Sequence, residues 1–262
     1  MRIPLYQIDA FAADGAFTGN PAAVCPLDAW LPDVAMQAIA AENNLSETAF
    51  FVPEGDGYRL RWFTPTTEVD LCGHATLASA YVVFRWLTPE RGSVTFQTQQ
   101  AGPLAVARDG ERLAMDFPAR RAAPCAIDEA LVAGLGRRPS ELLAARDYLA
   151  VYDSAADIAA LAPDFAALAA LDRFAVIVTA PGTGEIDFVS RFFAPARGVD
   201  EDPATGSSHC TLIPYWAERL GKNRLEARQL SRRGAALSCT LASDRVTIAG
   251  RAVLYLEGTI TI

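Results

Sequence analysis

The sequence lacks the signatures of several large groups of enzymes. No GxGxxG follows an apolar strand pattern and no GxxxxGK[ST] occurs, which excludes a Rossmann or P-loop nucleotide site. There are only two histidines, with no HxH or HExxH pair, so a histidine-rich metal site is excluded. The five cysteines are scattered, without a CxxC pair, which is typical of free thiols in a reducing compartment. We therefore expect no metal, no nucleotide cofactor and a cytoplasmic location.

Positive charge and long apolar runs are also scarce. The chain has 23 Lys and Arg against 31 Asp and Glu, a net charge of −8. Such a surface repels phosphate backbones, so we expect no nucleic-acid partner. The uncharged helix-like stretch at 75–84 is too short to span a bilayer, and Asp9 and Asp14 interrupt any signal-peptide core. We expect no membrane partner either.

What the sequence does contain is an internal repeat. Residues 61–70 read RWFTPTTEVD and residues 191–200 read RFFAPARGVD, with identical residues at five positions. Each copy runs into a small-residue turn and then an apolar helical pattern, and each half holds one histidine. The repeat predicts two similar domains, 1–118 and 119–262, with the last strand free to return to the first half. The alternative is two unrelated strand–turn–helix segments with coincidental identities.

The periodicity predicts an α+β protein with many strands and few helices. Helices are predicted at 32–43, 73–86, 128–135, 155–161, 163–171 and 205–220. Strands are predicted at 5–11, 47–52, 58–63, 93–99, 104–108, 112–117, 174–179, 186–193, 225–232, 236–241, 245–249 and 252–262. Strict alternation of strand and helix is missing, so a doubly wound parallel sheet is not expected.

Two turn–helix junctions are the candidate functional positions. They read CGHAT at 72–76 and DPATGSS at 202–208. The free N–H groups of a helix start favour an anion, and a pseudo-twofold relation between the halves would let both starts face one cleft. A substrate carboxylate would suit that cleft, whereas ordinary helix capping is the alternative. His74 is a candidate general acid, with a purely local hydrogen bond as the alternative, and Glu47, at the edge of an apolar strand, is a candidate base, with a surface glutamate that caps 44–46 as the alternative. His209 is expected to be structural.

The chain resembles the PhzF family of phenazine-biosynthesis-like isomerases, which have the diaminopimelate epimerase fold. The resemblance rests on four motifs in order, QIDAFAADGAFTGNPAAV, NLSETAFF, RWFTPTTEVDLCGHATLASA and RFFAPARGVDEDPATGSSHC. It implies two domains, each a sheet wrapped around a central helix, with the active site in a cleft between them, and it implies a homodimer. It also implies cofactor-independent chemistry on a small carboxylate substrate.

The same resemblance implies roles for particular residues. Glu47 would move a proton between two carbons of the substrate, while His74 and Asp202 hold and polarise it. Asn20, Gly73, Gly206 and Ser207 would contact the substrate. Diaminopimelate epimerases and proline racemases use two thiols as paired acid and base, but here Asp202 stands where the second thiol is needed. An amino-acid epimerase of this fold and a non-catalytic binding protein remain open alternatives.

Overall fold

The structure, a computed structural model, describes all residues from Met1 to Ile262. The chain divides into two compact units: unit 1 contains Met1–Asp116 and Ala249–Ile262, and unit 2 contains Phe117–Ile248. Strands dominate both units and helices are few, so the predicted α+β class is confirmed. None of the helices combines the length and the apolar character that a membrane span requires.

Unit 1 is built on a sheet whose strands follow the order β1-β2-β3-β4-β6-β7-β8, with the short β5 beside β4. Pairs β2–β3 and β4–β6 are parallel, whereas β1–β2, β3–β4, β6–β7 and β7–β8 are antiparallel. The strands are β1 Arg2–Ala12, β2 Asn20–Pro26, β3 Glu47–Glu54, β4 Gly57–Phe63, β5 Glu68–Val69, β6 Ser93–Gln97, β7 Leu104–Asp109 and β8 Arg112–Pro118. The helices are α1 Asp33–Asn43 and α2 Gly73–Val82, and α2 continues as a π-helical turn, Val83–Leu87.

The two helices of unit 1 serve different faces of the sheet. Helix α1 packs its Met36 and Ile39 with Phe50 and Val52 of β3 in one apolar cluster. Helix α2 contacts β1, β2, β3 and β7 and is buried on nearly all sides, as its apolar sequence around the whole circumference requires. Its buried hydroxyls are satisfied within the helix, since Thr76 donates to Cys72 O and Ser79 donates to Ala75 O. Helix α2 is therefore the central helix of unit 1.

Unit 2 repeats this arrangement. Its sheet order is β15-β14-β13-β12-β11-β10-β9. Pairs β11–β12 and β13–β14 are parallel with the antiparallel pair β12–β13 between them, the same pattern as β2, β3, β4 and β6. The strands are β9 Ala123–Pro124, β10 Glu141–Ala144, β11 Tyr148–Val151, β12 Val176–Pro181, β13 Phe188–Phe193, β14 Arg224–Gln229 and β15 Ala235–Ala242. The helices are α3 Glu129–Leu135, α4 Ala155–Ala159, α5 Phe165–Ala169 and α6 Gly206–Leu220, with a 3₁₀ turn at Pro195–Arg197.

Helix α6 is the central helix of unit 2. Ten of its residues are buried, and its Trp216 donates from Nε1 to Thr179 Oγ1 at 3.0 Å and stacks on Phe188. The short helices α3, α4 and α5 cover the other face, where Val176, Val178 and Phe193 join their apolar side chains in one cluster. The two units thus share a sheet with a buried central helix on one face and peripheral helices on the other.

One strand passes through both units. Strand β16, Arg245–Thr261, starts in unit 2 and ends in unit 1, where it pairs antiparallel with β1 from Arg2↔Thr261 to Ala12↔Arg251. Chain ends meet as a result, since Ile262 N donates to Met1 O at 2.9 Å. The sequence predicted two strands here, 245–249 and 252–262, but Gly250 does not break the ladder and the strand is continuous.

Candidate active site

The first candidate site lies where two strand starts and one helix start of unit 1 converge. Asn20 opens β2 and Glu47 opens β3, and these strands run parallel with Ala22 opposite Glu47. Cys72 precedes the first residue of α2, and His74 lies in its first turn. All the site residues predicted in the first half, Asn20, Glu47, Gly73 and His74, therefore lie in this one region of unit 1.

Glu47 and His74 face each other at close range. Glu47 Oε2 is 3.1 Å from His74 Nε2, and the side chains are 16% and 6% exposed. The two atoms are not aligned as a hydrogen bond, and both are buried without another hydrogen-bond partner. A buried polar atom without a partner costs about 1–3 kcal/mol, so both atoms favour a ligand that would satisfy them.

The other ring nitrogen of His74 is held by an amide and a thiol. Asn20 Nδ2 lies 3.2 Å and Cys72 Sγ 3.4 Å from His74 Nδ1, while Ser46 donates to Asn20 Oδ1 at 3.1 Å. In this orientation the amide nitrogen donates to Nδ1, which assigns the proton of a neutral ring to Nε2, facing Glu47. A protonated ring instead requires the Asn20 amide to turn, so that Oδ1 accepts from Nδ1 and Nδ2 donates to the Ser46 hydroxyl.

The electrostatics favour the charged ring. Burial lowers the pKa of His74, but the Glu47 carboxylate beside Nε2 acts in the opposite direction, and the pKa lies well above its usual value. Burial raises the pKa of the Cys72 thiol to about 11, with a smaller contribution from Glu47 in the same direction. The site therefore holds a protonated thiol and an imidazole that readily carries a proton next to a carboxylate.

Glu47, Cys72 and His74 each offer a metal-ligand atom, and these atoms lie within 4.8 Å of one another. The thiol, however, contacts Nδ1 of the imidazole, while the carboxylate faces Nε2. An ion bound to one of these two nitrogens would have either the thiol or the carboxylate beside the other nitrogen. The arrangement suits a chain of proton donors and acceptors better than it suits ion coordination.

The second candidate site surrounds the start of α6 in unit 2. Asp202 lies in the turn before the helix, Thr205 is the residue that precedes the first turn, and Gly206 and Ser207 open the helix. The Thr205 hydroxyl donates to Asp202 Oδ2. Asp202, Gly206 and Ser207, the site residues predicted in the second half, therefore lie within one turn of chain.

An arginine that the sequence did not single out reaches this helix start. Arg146 donates from Nε and Nη2 to the two oxygens of the buried Asp147, each at 2.9 Å. Its Nη2 also lies 3.3 Å from Ser207 Oγ and donates to it. No motif distinguishes Arg146, because it lies in the turn between β10 and β11, far in sequence from the helix start that it contacts.

His209 has a structural environment. Its Nδ1 lies 2.8 Å from Thr205 O, the carbonyl that ends the turn before α6, so Nδ1 carries the proton of the neutral ring. Burial lowers its pKa to about 4, only partly offset by this hydrogen bond. His209 is therefore neutral at pH 7 and supports the turn.

Comparison with known proteins adds to this geometry. A family model for phenazine biosynthesis-like proteins (PhzC-PhzF) matches residues 8–258. An uncharacterized isomerase of Pseudomonas aeruginosa is 55% identical over 260 residues, which cover 99% of each chain. The crystal structure of a PhzF family protein from Enterococcus faecalis superposes with a TM-score of 0.97 at 47% identity and covers 100% of both chains. A hydroxyproline epimerase from Agrobacterium vitis, 11% identical over 99% of this chain and 91% of its own, shares the fold with a TM-score of 0.56.

Proposed function

The chain belongs to the PhzF family of phenazine biosynthesis-like proteins, and on this premise we propose that it moves a proton between two carbon atoms of a small carboxylate substrate through Glu47. The enzyme class, isomerase, follows from the family and from the relatives that carry this name. The route of the proton and the roles of the residues are the proposal.

The observation that carries the proposal is the Glu47–His74 pair. A carboxylate oxygen and an imidazole nitrogen, both buried and both without an aligned hydrogen bond, lie 3.1 Å apart. A substrate carbon placed against Glu47 would lose its proton to the carboxylate, and the electron pair would move into the conjugated system. The same carboxyl would then return the proton to the second carbon, so no proton or electron is gained or lost.

His74 supports the negative charge that develops on the substrate. Its raised pKa keeps a proton on the ring, and its Nε2 can donate that proton to a hydrogen bond with an oxygen of the substrate. The first N–H groups of α2, from Gly73 and His74, have no acceptor within the helix and point out of its start. They would bind a carboxylate of the substrate with the aid of the helix dipole.

Asp202, Gly206 and Ser207 are proposed to contribute the corresponding contacts from the start of α6. The Thr205 hydroxyl that donates to Asp202 supports this role, because it orients the carboxylate. The sequence-based expectation that both helix starts bind one substrate stays a prediction.

An amino-acid epimerase is the second candidate, and one observation favours it. Cys72 Sγ lies 3.4 Å from His74 Nδ1, so the imidazole could accept its proton. Its pKa of about 11 opposes a standing thiolate. In unit 2 the buried Cys210 lies within α6, past its first turn, and Asp202 takes the place before the helix. A two-thiol mechanism thus lacks a thiol at the second helix start.

The cytoplasmic location and the absence of a cofactor also belong to this proposal. All five cysteines are free, which agrees with a reducing compartment. Acid–base chemistry by Glu47 and His74 requires no metal and no organic cofactor.

Proton exchange with solvent tests the proposal. The enzyme is incubated in heavy water with a panel of unsaturated cyclic carboxylic acids and of amino acids, and deuterium uptake and isomerisation are followed by proton NMR. On the compound that reacts, Glu47→Gln keeps the shape of the side chain but removes its basicity, and it should lower turnover at least about 100-fold.

Cys72→Ser is the matched control. It changes a neighbour of the same imidazole and should cost far less than Glu47→Gln. Part of the original proton should also return to the product, because a single carboxyl takes it and gives it back. An inactive Cys72→Ser enzyme beside a nearly normal Glu47→Gln enzyme would show that the thiol-based epimerase is correct.

A further inference from the structure

A buried glutamine lies behind the second candidate site. Gln229 is the last residue of β14, is 1% exposed and lies opposite Ser190 of β13. Neither its position in the sequence nor any motif indicates a role. Its side chain, however, makes three hydrogen bonds, and all of them are with Asp202 or Thr205.

The three bonds use both ends of the amide. Gln229 Oε1 accepts from Thr205 N at 2.9 Å, and Nε2 donates to Asp202 O at 2.7 Å and to Thr205 Oγ1 at 3.2 Å. A carboxylate could not donate the last two bonds, and an apolar side chain could make none of them. The position therefore requires a group that donates and accepts at the same time.

The direction of these bonds reaches the carboxylate of Asp202. A hydroxyl has a single proton to donate, and Thr205 Oγ1 already accepts a hydrogen bond from Gln229 Nε2. Its own proton therefore goes to Asp202 Oδ2. The hydrogen bonds from Gln229 to Thr205 and from Thr205 to Asp202 thus all run in one direction, and Asp202 Oδ2 has the role of acceptor.

We propose that Gln229 is a positioning residue that sets the orientation of the Asp202 carboxyl group through the hydroxyl of Thr205. This inference rests on the proposed function, in which Asp202 contacts the substrate. It adds a residue that touches no substrate and that determines how the acidic group of the second helix start is presented.

Other groups hold the backbone of the same turn. Ser231 donates to Pro203 O, and both Ser208 Oγ and His209 Nδ1 donate to Thr205 O, each at 2.8 Å. The turn thus keeps these anchors when Gln229 is replaced. The loss of Gln229 should therefore affect the carboxylate of Asp202 more than the fold of unit 2.

Two substitutions at position 229 separate positioning from packing. Gln229→Met keeps the length of the side chain and removes its polar atoms. It should lower kcat at least about 10-fold on the compound identified by the exchange panel, with a smaller change in KM, because hydrogen-bonded positioning acts on the transition state. The activity of Gln229→Glu should be low at neutral pH and should rise towards low pH, because a protonated carboxyl group regains one hydrogen-bond donor.

The controls replace one residue outside the site, Gln97, and the residue whose hydroxyl links Gln229 to Asp202, Thr205. Gln97→Glu introduces the same charge at an exposed position of β6 and should leave the pH profile unchanged. Thr205→Ser keeps the hydroxyl and should retain most activity, whereas Thr205→Val should reproduce the loss seen in Gln229→Met. Independent of activity, hydrogen exchange of the Thr205 amide should become faster in Gln229→Met, since this N–H donates to Gln229 Oε1.

Each outcome decides one of the two proposals. A Gln229→Met enzyme with normal kcat, beside an impaired Asp202→Asn enzyme, would overturn the positioning role and leave the proposed function intact. A Gln229→Glu enzyme that is uniformly weak at all pH values would also overturn it, because only packing would then be affected. Normal activity in both Glu47→Gln and Asp202→Asn would instead overturn the proposed function.

Discussion

At the scale of single residues, the two histidines have opposite settings although both are buried. His74 faces a carboxylate that raises its pKa, whereas His209 faces a carbonyl and an aromatic ring in a site where burial lowers its pKa to about 4. Because there are only two histidines, NMR spectra of the imidazole rings can follow each one separately. Their protonation affects stability in different pH ranges.

Acid should destabilise the protein through His209. Between pH 6.5 and about 4 the unfolded chain binds a proton at this residue and the folded chain does not, so the free energy of unfolding falls as the pH falls. The effect should reach about 3 kcal/mol. His74 adds no slope in this window, since its raised pKa keeps it protonated in the folded state and its contribution is lost only at higher pH.

His209→Asn tests this prediction, because the amide N–H can replace the donor at Nδ1. Urea unfolding at several pH values should show a smaller loss of stability between pH 6.5 and 4 in the variant than in the unchanged protein. The carboxylates titrate equally in both proteins, so the difference isolates His209. An equal pH dependence of the free energy of unfolding in the two proteins would show that the ring is protonated in the folded state.

At the scale of elements, the arginine of the repeat has the same function in both units. Arg61 of β4 donates to both oxygens of Glu68, each at 2.7 Å, and Arg191 of β13 donates to both oxygens of Glu201, at 2.7 and 2.9 Å. Each guanidinium also lies over an aromatic ring two residues along its own strand, at 5.1 Å in unit 1 and 4.9 Å in unit 2. Each arginine thereby anchors the segment that leads into a central helix.

Replacement of this arginine in either unit should lower the free energy of unfolding. Arg191→Met leaves Glu201 partly buried without its partner, and the expected loss of stability is about 3 kcal/mol, the lower end for a broken buried pair. Guanidinium chloride unfolding measures the loss. Arg59→Met is the control, at a position on the same strand as Arg61. Arg59 and Glu54 form an ion pair whose side chains are 40% and 41% exposed. Exposed ion pairs of this kind contribute less than about 1 kcal/mol to stability. Equal losses in the two variants would contradict the anchoring role.

The turn before β2 depends on a glycine next to the active site. Gly19 has φ +75°, and a Cβ there would lie 2.8 Å from Ala12 N and would also overlap Ala10 O. Gly19→Ala should therefore displace Asn20 and with it the support of His74, at a cost of about 1–3 kcal/mol in stability. The midpoint temperature of thermal unfolding and the turnover rate should both fall. Gly92→Ala is the control, since no atom lies within 4 Å of a Cβ at that position, and its stability should be unchanged.

The strands that the sequence predicted are those with alternating or strongly apolar patterns. Strands β3 and β4 lie within a few residues of their predicted bounds, and so does helix α6. Strand β2 was missed because its sequence NPAAVCP has a proline near each end and small residues between them. Strands β10 and β11 were missed because each has only four residues, and ELLA and YLAV favour a helix as readily as a strand.

The site could be predicted only in part. Glu47 and His74 lie in local motifs, and the turn–helix patterns indicate the positions of Asp202 and Ser207. Their partners could not be predicted, because the hydrogen bonds of Ser46, Arg146 and Gln229 join segments that lie far apart in the sequence. Hydrogen bonds of that kind leave no periodic signal in a single sequence.

At the scale of the whole molecule, the family resemblance predicts a homodimer, and unit 1 has an apolar surface that a second copy could cover. Phe17 and Tyr255 are 69% and 51% exposed, and their ring centroids lie 5.9 Å apart. Light scattering should give twice the mass of 28.1 kDa. Exposed aromatic side chains in contact are typical of interaction surfaces.

Tyr255→Glu should shift the protein towards the monomer, because a charge would be buried at the contact. Val34→Glu on α1 changes an isolated side chain that is 80% exposed and should leave the mass unchanged. A dimer that survives Tyr255→Glu would place the contact elsewhere, and a monomeric parent protein would contradict the prediction.

Strand β16 has a consequence for the order in which a growing chain can fold. Unit 2 is continuous in sequence, so all of its residues have been synthesised once Ile248 has been added. Unit 1 needs Ala249–Ile262, and β1 has no β16 partner until that segment has been translated. At 5–20 residues per second, the first 116 residues would wait on the order of ten seconds for that strand. The half made first on the ribosome would therefore be the last to be completed, and the edge of β1 that pairs with β16 is the one that a nascent-chain chaperone would have to protect.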